Sequence, residues 1–199
     1  MAITREIDLD FLIKSHRNVV RTMPESIIKG FFERCHEALL IVGCHNKKYK
    51  ASTFDICKHI PKALAVGMAD GPELKDLANA FERIAPKLNW QRRENIKYKD
   101  QNFPSGHANA VLVGDNGLEQ HQCVRLGVSL LAPNIEYPDH NHPPEEGYLV
   151  ISEGYWRQEK GNWVERKPGQ TIHNTPNITH SMKSKDTPLL ALWMLWTGP

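Results

Sequence analysis

The hydrophobic periodicity of this 199-residue chain changes near residue 100, and this change limits the possible folds more than any other feature. Before residue 100, apolar side chains recur every three or four residues, which is the period of an amphipathic α-helix. This pattern predicts helices over residues 6–21, 24–42, 54–66 and 73–84. The last of these lies between Gly71-Pro72 and Pro86, residues of the kind that bound a helix.

From His107 onward, short apolar runs are separated by turn signals, which is typical of a β-sandwich or barrel. Strands are predicted over residues 108–113, 123–131, 148–152, 156–158, 163–165 and 187–196. Tight turns are predicted at 115–117 and at 160–162. We therefore expect residues 1–106 to form a helical N-terminal extension and connector, packed on a barrel of residues 107–199.

The polar segment 89–106 is interpreted as a connector that wraps across the domain. It carries four basic side chains, Arg92, Arg93, Lys97 and Lys99. We expect these side chains to be solvated and not to bind an anion.

Charge and hydropathy exclude several classes of protein. The 25 Lys and Arg residues against 23 Asp and Glu residues give a net charge of +2, without the basic excess of a nucleic-acid binder. The longest apolar runs, 38–42 and 189–196, are far shorter than the roughly 20 residues of a membrane-spanning helix. The N-terminus shows no signal peptide, and the cysteines form no C-x-x-C pair. We expect a cytoplasmic protein with reduced thiols.

Side chains that bind metal ions or transfer protons are concentrated in two segments between residues 140 and 180. They are His140, His142, Glu146, Tyr148 and His180. In an extended strand, residues i and i+2 point to the same face, so His140 projects with His142, and Glu146 with Tyr148. Two prolines at 143–144 interrupt the strand ladder, so the chain can turn there and bring both pairs onto one centre.

Imidazole and carboxylate ligands suit a first-row divalent ion. We therefore predict one divalent transition metal bound by His140, His142, Glu146 and His180. The set contains no thiolate, which favours a catalytic site over a structural zinc site. Zinc, iron and manganese are all compatible with these ligands.

Two motifs here resemble the metal-binding motifs of the cupin superfamily. The first is His140-x-His142-x3-Glu146 followed by Gly154, and the second is Pro168-Gly169 followed by Pro176 and His180. The resemblance implies a double-stranded β-barrel, or jelly roll, with the metal in its mouth. The predicted fold class is therefore mainly β, a cupin jelly roll with an α-helical N-terminal extension.

The runs YPDHNHPPEEGYLVISEG, PGQTIHNTPNITHSM and PLLALWMLWTG resemble the cupin-type dimethylsulfoniopropionate (DMSP) lyases, and the length and helical extension are most similar to the DddQ type. The resemblance implies a carbon–sulfur lyase of the dimethylpropiothetin dethiomethylase type, which cleaves DMSP to dimethyl sulfide and acrylate. It also implies metal ligands at His142, Glu146 and His180, with His140 beside them. Active-site tyrosines are implied at Tyr148 and Tyr137.

This chemistry is a β-elimination from a zwitterionic substrate. A base removes the proton next to the carboxylate, and a divalent ion stabilises the charge that develops. We expect Tyr148 to be the base, because a nearby cation lowers the pKa of a phenol from about 10. Tyr137 and His140 are expected to contact the substrate. Aromatic faces attract a sulfonium, and we assign this contact to Trp193 among the candidates Trp156, Trp163, Trp193 and Trp196.

Two alternatives remain open from the sequence. The first is a metal-dependent cupin oxygenase or isomerase that acts on another small carboxylic acid, and oxygen consumption would separate an oxygenase from a lyase. The second is a non-catalytic cupin ligand sensor, which would bind metal without turnover. The expected partner is the small zwitterion DMSP, with no nucleic acid and no membrane, and a homodimer is left open.

Overall fold

A computed structural model describes residues 4–94 and 96–199. The α-helices are α1 Ile7–Thr22, α2 Ile27–Ala38, α3 Ile60–Met68, α4 Pro72–Ile84 and α5 Phe103–Gly106, with 3-10 turns at Asp55–His59 and Ala85–Lys87. The strands are β1 Cys44–His45, β2 Trp90–Gln91, β3 His107–Val113, β4 Glu119–Gln120, β5 Val124–Leu131, β6 Glu136–His140, β7 Glu145–Val150, β8 Gly154–Gln158, β9 Val164–Arg166, β10 Thr171–Asn174, β11 His180–Lys183 and β12 Leu189–Trp196.

All four predicted helices are present, and side-chain caps explain where α1 and α2 begin. The Glu6 carboxylate accepts a hydrogen bond from the Leu9 amide at 2.8 Å and begins α1. The Ser26 hydroxyl caps α2, so this helix starts at Ile27 and not at Pro24. Within residues 4–94 and 96–199, no helix combines the length and the apolar character needed to span a membrane.

The strands form two sheets. The larger has the order β1-β4-β3-β5-β12-β7-β10, with β2 also paired to β3, and the smaller has the order β6-β11-β8-β9. One apolar cluster contains residues of both sheets, among them Tyr148 and Trp193 of the larger and Tyr137 and Met182 of the smaller. The two sheets therefore face each other around an interior, and the predicted fold class, a mainly β cupin jelly roll with N-terminal helices, is confirmed.

The larger sheet is covered on its other face by the helices. Leu190, Leu192 and Met194 of β12 belong to the apolar cluster that includes the helices, whereas Trp193 belongs to the interior cluster. At Gly147 the helices lie very close to the sheet, because an added Cβ would lie 2.8 Å from atoms of Ile28, Phe31 and Phe32. Since side chains alternate along a strand, contact with the helices at position 147 turns residues 146 and 148 into the interior.

The structure also differs from the sequence prediction. Residues before 107 contribute two short strands, because β1 pairs with β4 and β2 pairs with β3. Strands β6, β10 and β11 were not predicted, since polar and histidine residues mask their alternation. The turn at 115–117 is present, but β4 after it pairs with β3 in parallel and so does not close a hairpin.

We propose that residues 1–106 and 107–199 fold as one unit. Removal of the helices would leave the outer face of β12 in water. A fragment of residues 100–199 should therefore aggregate and lack a cooperative thermal transition, whereas the full chain should melt cooperatively. Light scattering and calorimetry of both proteins test this expectation. A soluble, cooperatively folding fragment would contradict it.

A buried histidine pair joins α1 to α2 and should make the fold sensitive to acid. Nδ1 of His16 lies 3.0 Å from Nε2 of His36, and both side chains are buried. Burial lowers the pKa of His16 well below its ordinary value and lowers the pKa of His36 to about 3. An unfolded histidine titrates near pH 6.5, so below that pH the unfolded chain binds protons that the folded chain does not. Stability should thus fall as pH drops from about 6.5 toward 3.

Replacing His36 with glutamine should reduce this dependence. The slope of the free energy of unfolding against pH, measured by urea denaturation between pH 7.5 and 5, should decrease by up to about 1.4 kcal/mol per pH unit. The exposed His45 provides the control substitution, His45→Gln. Equal slopes for the wild type and His36→Gln would show that the pair does not control acid stability.

Candidate metal centre and active site

Three metal-binding side chains converge inside the barrel. One ligand atom from each of His142, Glu146 and His180 lies within 4.8 Å of the others. Oε2 of Glu146 is 3.3 Å from Nε2 of His142 and 3.1 Å from Nε2 of His180. His142 lies in the loop after β6, Glu146 on β7 and His180 at the start of β11, so the centre joins the two sheets.

The orientation of the imidazoles suits a metal ion. Nδ1 of His142 lies 2.9 Å from the carbonyl oxygen of Pro144, and Nδ1 of His180 lies 3.0 Å from that of Ile178. A carbonyl only accepts, so each Nδ1 carries the proton and each Nε2 presents a lone pair to the centre. Nε2 of His180 is buried and makes no hydrogen bond to any described residue. A buried, unpartnered lone pair beside a carboxylate fits a divalent metal ion.

Glu146 is held as an anion at this centre. Burial alone would raise its pKa, but the imidazoles of His142 and His180 outweigh burial and keep the pKa well below its usual value. Nδ2 of Asn174 donates to Oε2 of Glu146 at 2.8 Å. Asn174 pairs with Glu146 across β10 and β7. The sequence does not reveal this strand register, so Asn174 was not predicted as a site residue.

His140 lies at the edge of the three-residue centre. Its ring centroid is 4.1 Å from that of His180 and 4.8 Å from that of Tyr137. Burial, assisted by His180, lowers the pKa of His140 to about 3, so this imidazole is neutral at physiological pH. Nδ1 of His140 is 2.9 Å from the Pro138 carbonyl oxygen, which leaves its Nε2 unprotonated as well. Its roles as a fourth ligand and as a substrate contact stay predictions.

The two predicted tyrosines lie at the same centre. Tyr148 is buried on β7, on the strand face of Glu146, and burial and the Glu146 carboxylate raise the pKa of Tyr148 well above its usual value. Tyr137 is buried on β6, and its hydroxyl oxygen accepts from Nη1 of Arg93 at 3.3 Å and from Nδ2 of Asn109 at 3.4 Å. Burial also raises the pKa of Tyr137, although the charge of Arg93 opposes this.

Trp193 lies over a glycine on the neighbouring strand. In the sheet, Trp193 pairs with Gly127 of β5 on one side and with Tyr148 on the other. A Cβ at position 127 would lie 2.1 Å from Cζ2 of Trp193, so the indole occupies the space where another side chain would stand. The absence of a side chain at Gly127 therefore lets the indole line the site beside Tyr148.

A cavity of about 460 Å³ is lined by most of these groups, although His180 and Asn174 are not among its lining residues. Its walls include the predicted site residues Tyr137, His140, His142, Glu146, Tyr148 and Trp193, together with Arg93, Asn109, Arg125 and Ser129. The other three candidate tryptophans are not among the lining residues. Trp156 is buried in the interior cluster, whereas Trp163 and Trp196 pack against the guanidinium groups of Arg157 and Arg34.

Arg93 is exposed, as expected for segment 89–106, but it also lines the cavity, and its guanidinium donates to Tyr137. The guanidinium of the preceding Arg92 stacks on Phe54, with its carbon 4.6 Å from the ring centroid. Arg92 lines the cavity as well. The sequence could not show this, because it depends on how the connector crosses the barrel.

The fold and the site together define a cupin-type jelly-roll protein with a His/Glu/His cluster able to hold a metal ion. The model of the dimethylsulfoniopropionate lyase family matches residues 33–191. The chain belongs to this family, and the resemblance found in the sequence is confirmed.

The chain is also similar in sequence to one curated relative and in fold to solved structures. A putative dimethylsulfoniopropionate lyase DddL of Cereibacter sphaeroides is 26% identical over 148 residues, 72% of this chain and 59% of that relative. The chain thus matches less than two thirds of the length of that relative. The fold is similar to a crystal structure from work on the DMSP lyases RdDddP and RnDddQII, with 21% identity, a TM-score of 0.73 and coverage of 96% and 92% of the two chains. It is also similar to DMSP lyase DddQ from Ruegeria pomeroyi DSS-3, with 15% identity, a TM-score of 0.72 and the same coverage.

Proposed function

We propose that this protein is a metal-dependent DMSP lyase, a carbon–sulfur lyase that converts DMSP to dimethyl sulfide and acrylate by β-elimination. The observation that carries the proposal is the convergence of His142, Glu146 and His180 beside the buried Tyr148. This arrangement places a candidate base next to a candidate Lewis-acid site, as the elimination requires. Membership of the dimethylsulfoniopropionate lyase family and the similarity to a putative DMSP lyase of Cereibacter sphaeroides support DMSP as the substrate.

The metal would be held by His142, Glu146 and His180, with His140 as a fourth ligand. A divalent cation bound there would polarise the substrate carboxylate and draw the pKa of Tyr148 down toward physiological pH. Zinc, iron and manganese all accept such nitrogen and oxygen ligands. Asn174 supports the site by fixing the Glu146 carboxylate through its amide.

Tyr148 is the general base in this proposal. Its phenolate oxygen accepts the proton from the carbon next to the substrate carboxylate. The C–H electron pair becomes the double bond of acrylate, the C–S bond breaks, and the sulfur leaves with that electron pair as neutral dimethyl sulfide. Tyr148 then returns its proton to solvent.

Tyr137 and Trp193 bind the substrate in this proposal. The hydroxyl oxygen of Tyr137 already accepts from Arg93 and Asn109, so its own proton is free to donate to a substrate oxygen in the cavity. The indole face of Trp193 attracts the sulfonium through the ring quadrupole. Together they would orient the zwitterion with its acidic carbon toward Tyr148.

Headspace detection of dimethyl sulfide tests the function directly. Purified protein should release dimethyl sulfide and an equal amount of acrylate from DMSP. Treatment with a chelator should abolish the release, and added zinc, iron or manganese should restore it. Oxygen consumption with another small acid, without dimethyl sulfide, would instead support the oxygenase alternative. Metal binding without turnover of any acid would support the sensor.

A further inference from the structure

We propose that Arg93 binds the carboxylate of the substrate and that the buried His107 positions Arg93 for this role. The identity of the substrate rests on the proposed lyase function. The contact itself rests on three features of the structure: the anchoring of the Arg93 backbone, the location of its guanidinium, and the charges that line the cavity.

The backbone of Arg93 is fixed to the barrel. Its amide donates to Nε2 of His107 at 2.8 Å, and Nδ1 of His107 lies 2.6 Å from the carbonyl oxygen of Phe103. The two bonds define one tautomer, with the proton on Nδ1 and the lone pair on Nε2. His107 is fully buried and stacks on Phe103 with 3.9 Å between ring centroids. The polar connector is therefore held in place at Arg93.

The guanidinium of Arg93 keeps donors available at the cavity. Nη1 donates to the hydroxyl oxygen of Tyr137, and the guanidinium carbon lies 5.9 Å from the centroid of that ring. A guanidinium has five N–H donors in a planar fork. Within the described part of the chain, Arg93 makes no ion pair and no second side-chain hydrogen bond. The free N–H donors of this planar fork match the two oxygens of a carboxylate that enters the cavity.

Arg92, Arg93 and Arg125 all line the cavity, and their positive charge favours an anion there. Glu146 is the one acidic residue among the lining residues of the described chain, and it already contacts His142, His180 and Asn174. Arg93 therefore has no acidic partner in the cavity wall. A guanidinium attracts the carboxylate end of a zwitterion and repels its sulfonium end, so Arg93 would also set the orientation of the substrate.

Substitution of Arg93 with parallel binding and kinetic measurements tests the proposal. Arg93→Gln should raise KM for DMSP about 10–100-fold, which is the loss of affinity expected when one charge-assisted hydrogen bond is removed. The value of kcat should change much less. Calorimetric titration of the metal-loaded protein with propionate should show a similar loss of affinity, whereas binding of the uncharged propionamide should not change. Arg93→Lys keeps the charge but not the fork and should be intermediate. Lys75→Gln removes one positive charge from an exposed position on α4, outside the cavity, and controls for net charge.

The titration separates this proposal from the proposed function, because propionate binding needs no turnover. If the wild type binds propionate through Arg93 but releases no dimethyl sulfide, the lyase function fails and the carboxylate contact stands. Unchanged KM and propionate affinity in Arg93→Gln would overturn the contact, as would equal losses in Lys75→Gln. A fall in kcat alone, with propionate affinity retained, would also overturn it, because Arg93 would then act only through Tyr137.

His107 has its own test as the positioning residue. His107→Gln should raise KM and weaken propionate binding in the same direction as Arg93→Gln. In the double variant, the loss should not exceed that of Arg93→Gln alone, because both changes remove one contact. Additive losses would show that His107 does not act through Arg93. Thermal melts of each variant confirm that the protein is folded under the assay conditions.

Discussion

Replacing Tyr148 with phenylalanine should lower kcat for DMSP cleavage by about 10²–10⁴-fold, the usual contribution of a general base. The substitution keeps the buried ring on β7 and removes only the hydroxyl, so folding and metal content should change little. Steady-state release of dimethyl sulfide and acrylate gives kcat. If the wild type exchanges the α-hydrogen of the substrate with solvent deuterium, the variant should lose this exchange, because no group would remain to accept the proton.

A matched control is available on β8. Tyr155 lies outside the cavity lining and stacks with Lys183, whose Nζ is 5.3 Å from the ring centroid. Tyr155→Phe removes the same atom and should retain near-native turnover. If Tyr148→Phe also retained near-native turnover, the base would be another residue. Tyr137, whose hydroxyl opens to the same cavity, would then be tested next.

Replacing His142 or His180 with alanine should nearly abolish bound metal and activity together. Loss of a group that only supports a ligand typically weakens metal binding 10–100-fold, so loss of a ligand should cost more than about 100-fold. His180 should be especially sensitive, because its buried Nε2 has no hydrogen-bond partner among the described residues. Elemental analysis after dialysis, and titration with zinc or manganese, measure the effect.

Two further variants make this prediction quantitative. Asn174→Ala removes the hydrogen bond to Glu146 but no ligand, and should weaken metal binding by about 10–100-fold. His45→Ala removes an exposed histidine far along the chain from the centre and should bind metal like the wild type. Full metal retention in both His142→Ala and His180→Ala would disprove the site.

Helices and strands with a long, regular apolar pattern could be predicted from the sequence, and short strands with polar residues could not. Helices α1 and α4 and strands β5 and β12 were predicted within a few residues, because each has a sustained apolar period. Strands β6 and β11 were missed because they are short and carry site residues, whose polarity breaks the alternation that marks a strand.

The sequence by itself determined the candidate ligands and Tyr148. Glu146 and Tyr148 share a face because side chains alternate along a strand, and this relation depends only on a spacing of two residues. The cupin-like motifs then associated His142 and Glu146 with His180, and the three atoms do converge in the structure.

Tertiary structure alone decided the surroundings of those residues. Asn174 reaches Glu146 through the register of β10 and β7, the indole of Trp193 has room because β12 lies beside Gly127, and Arg93 faces Tyr137 because a buried histidine holds the connector. Each of these contacts joins segments distant in the chain, and no local period encodes them. They form only when burial of apolar side chains fixes the strand order and the path of the connector, which is a property of the whole packed chain.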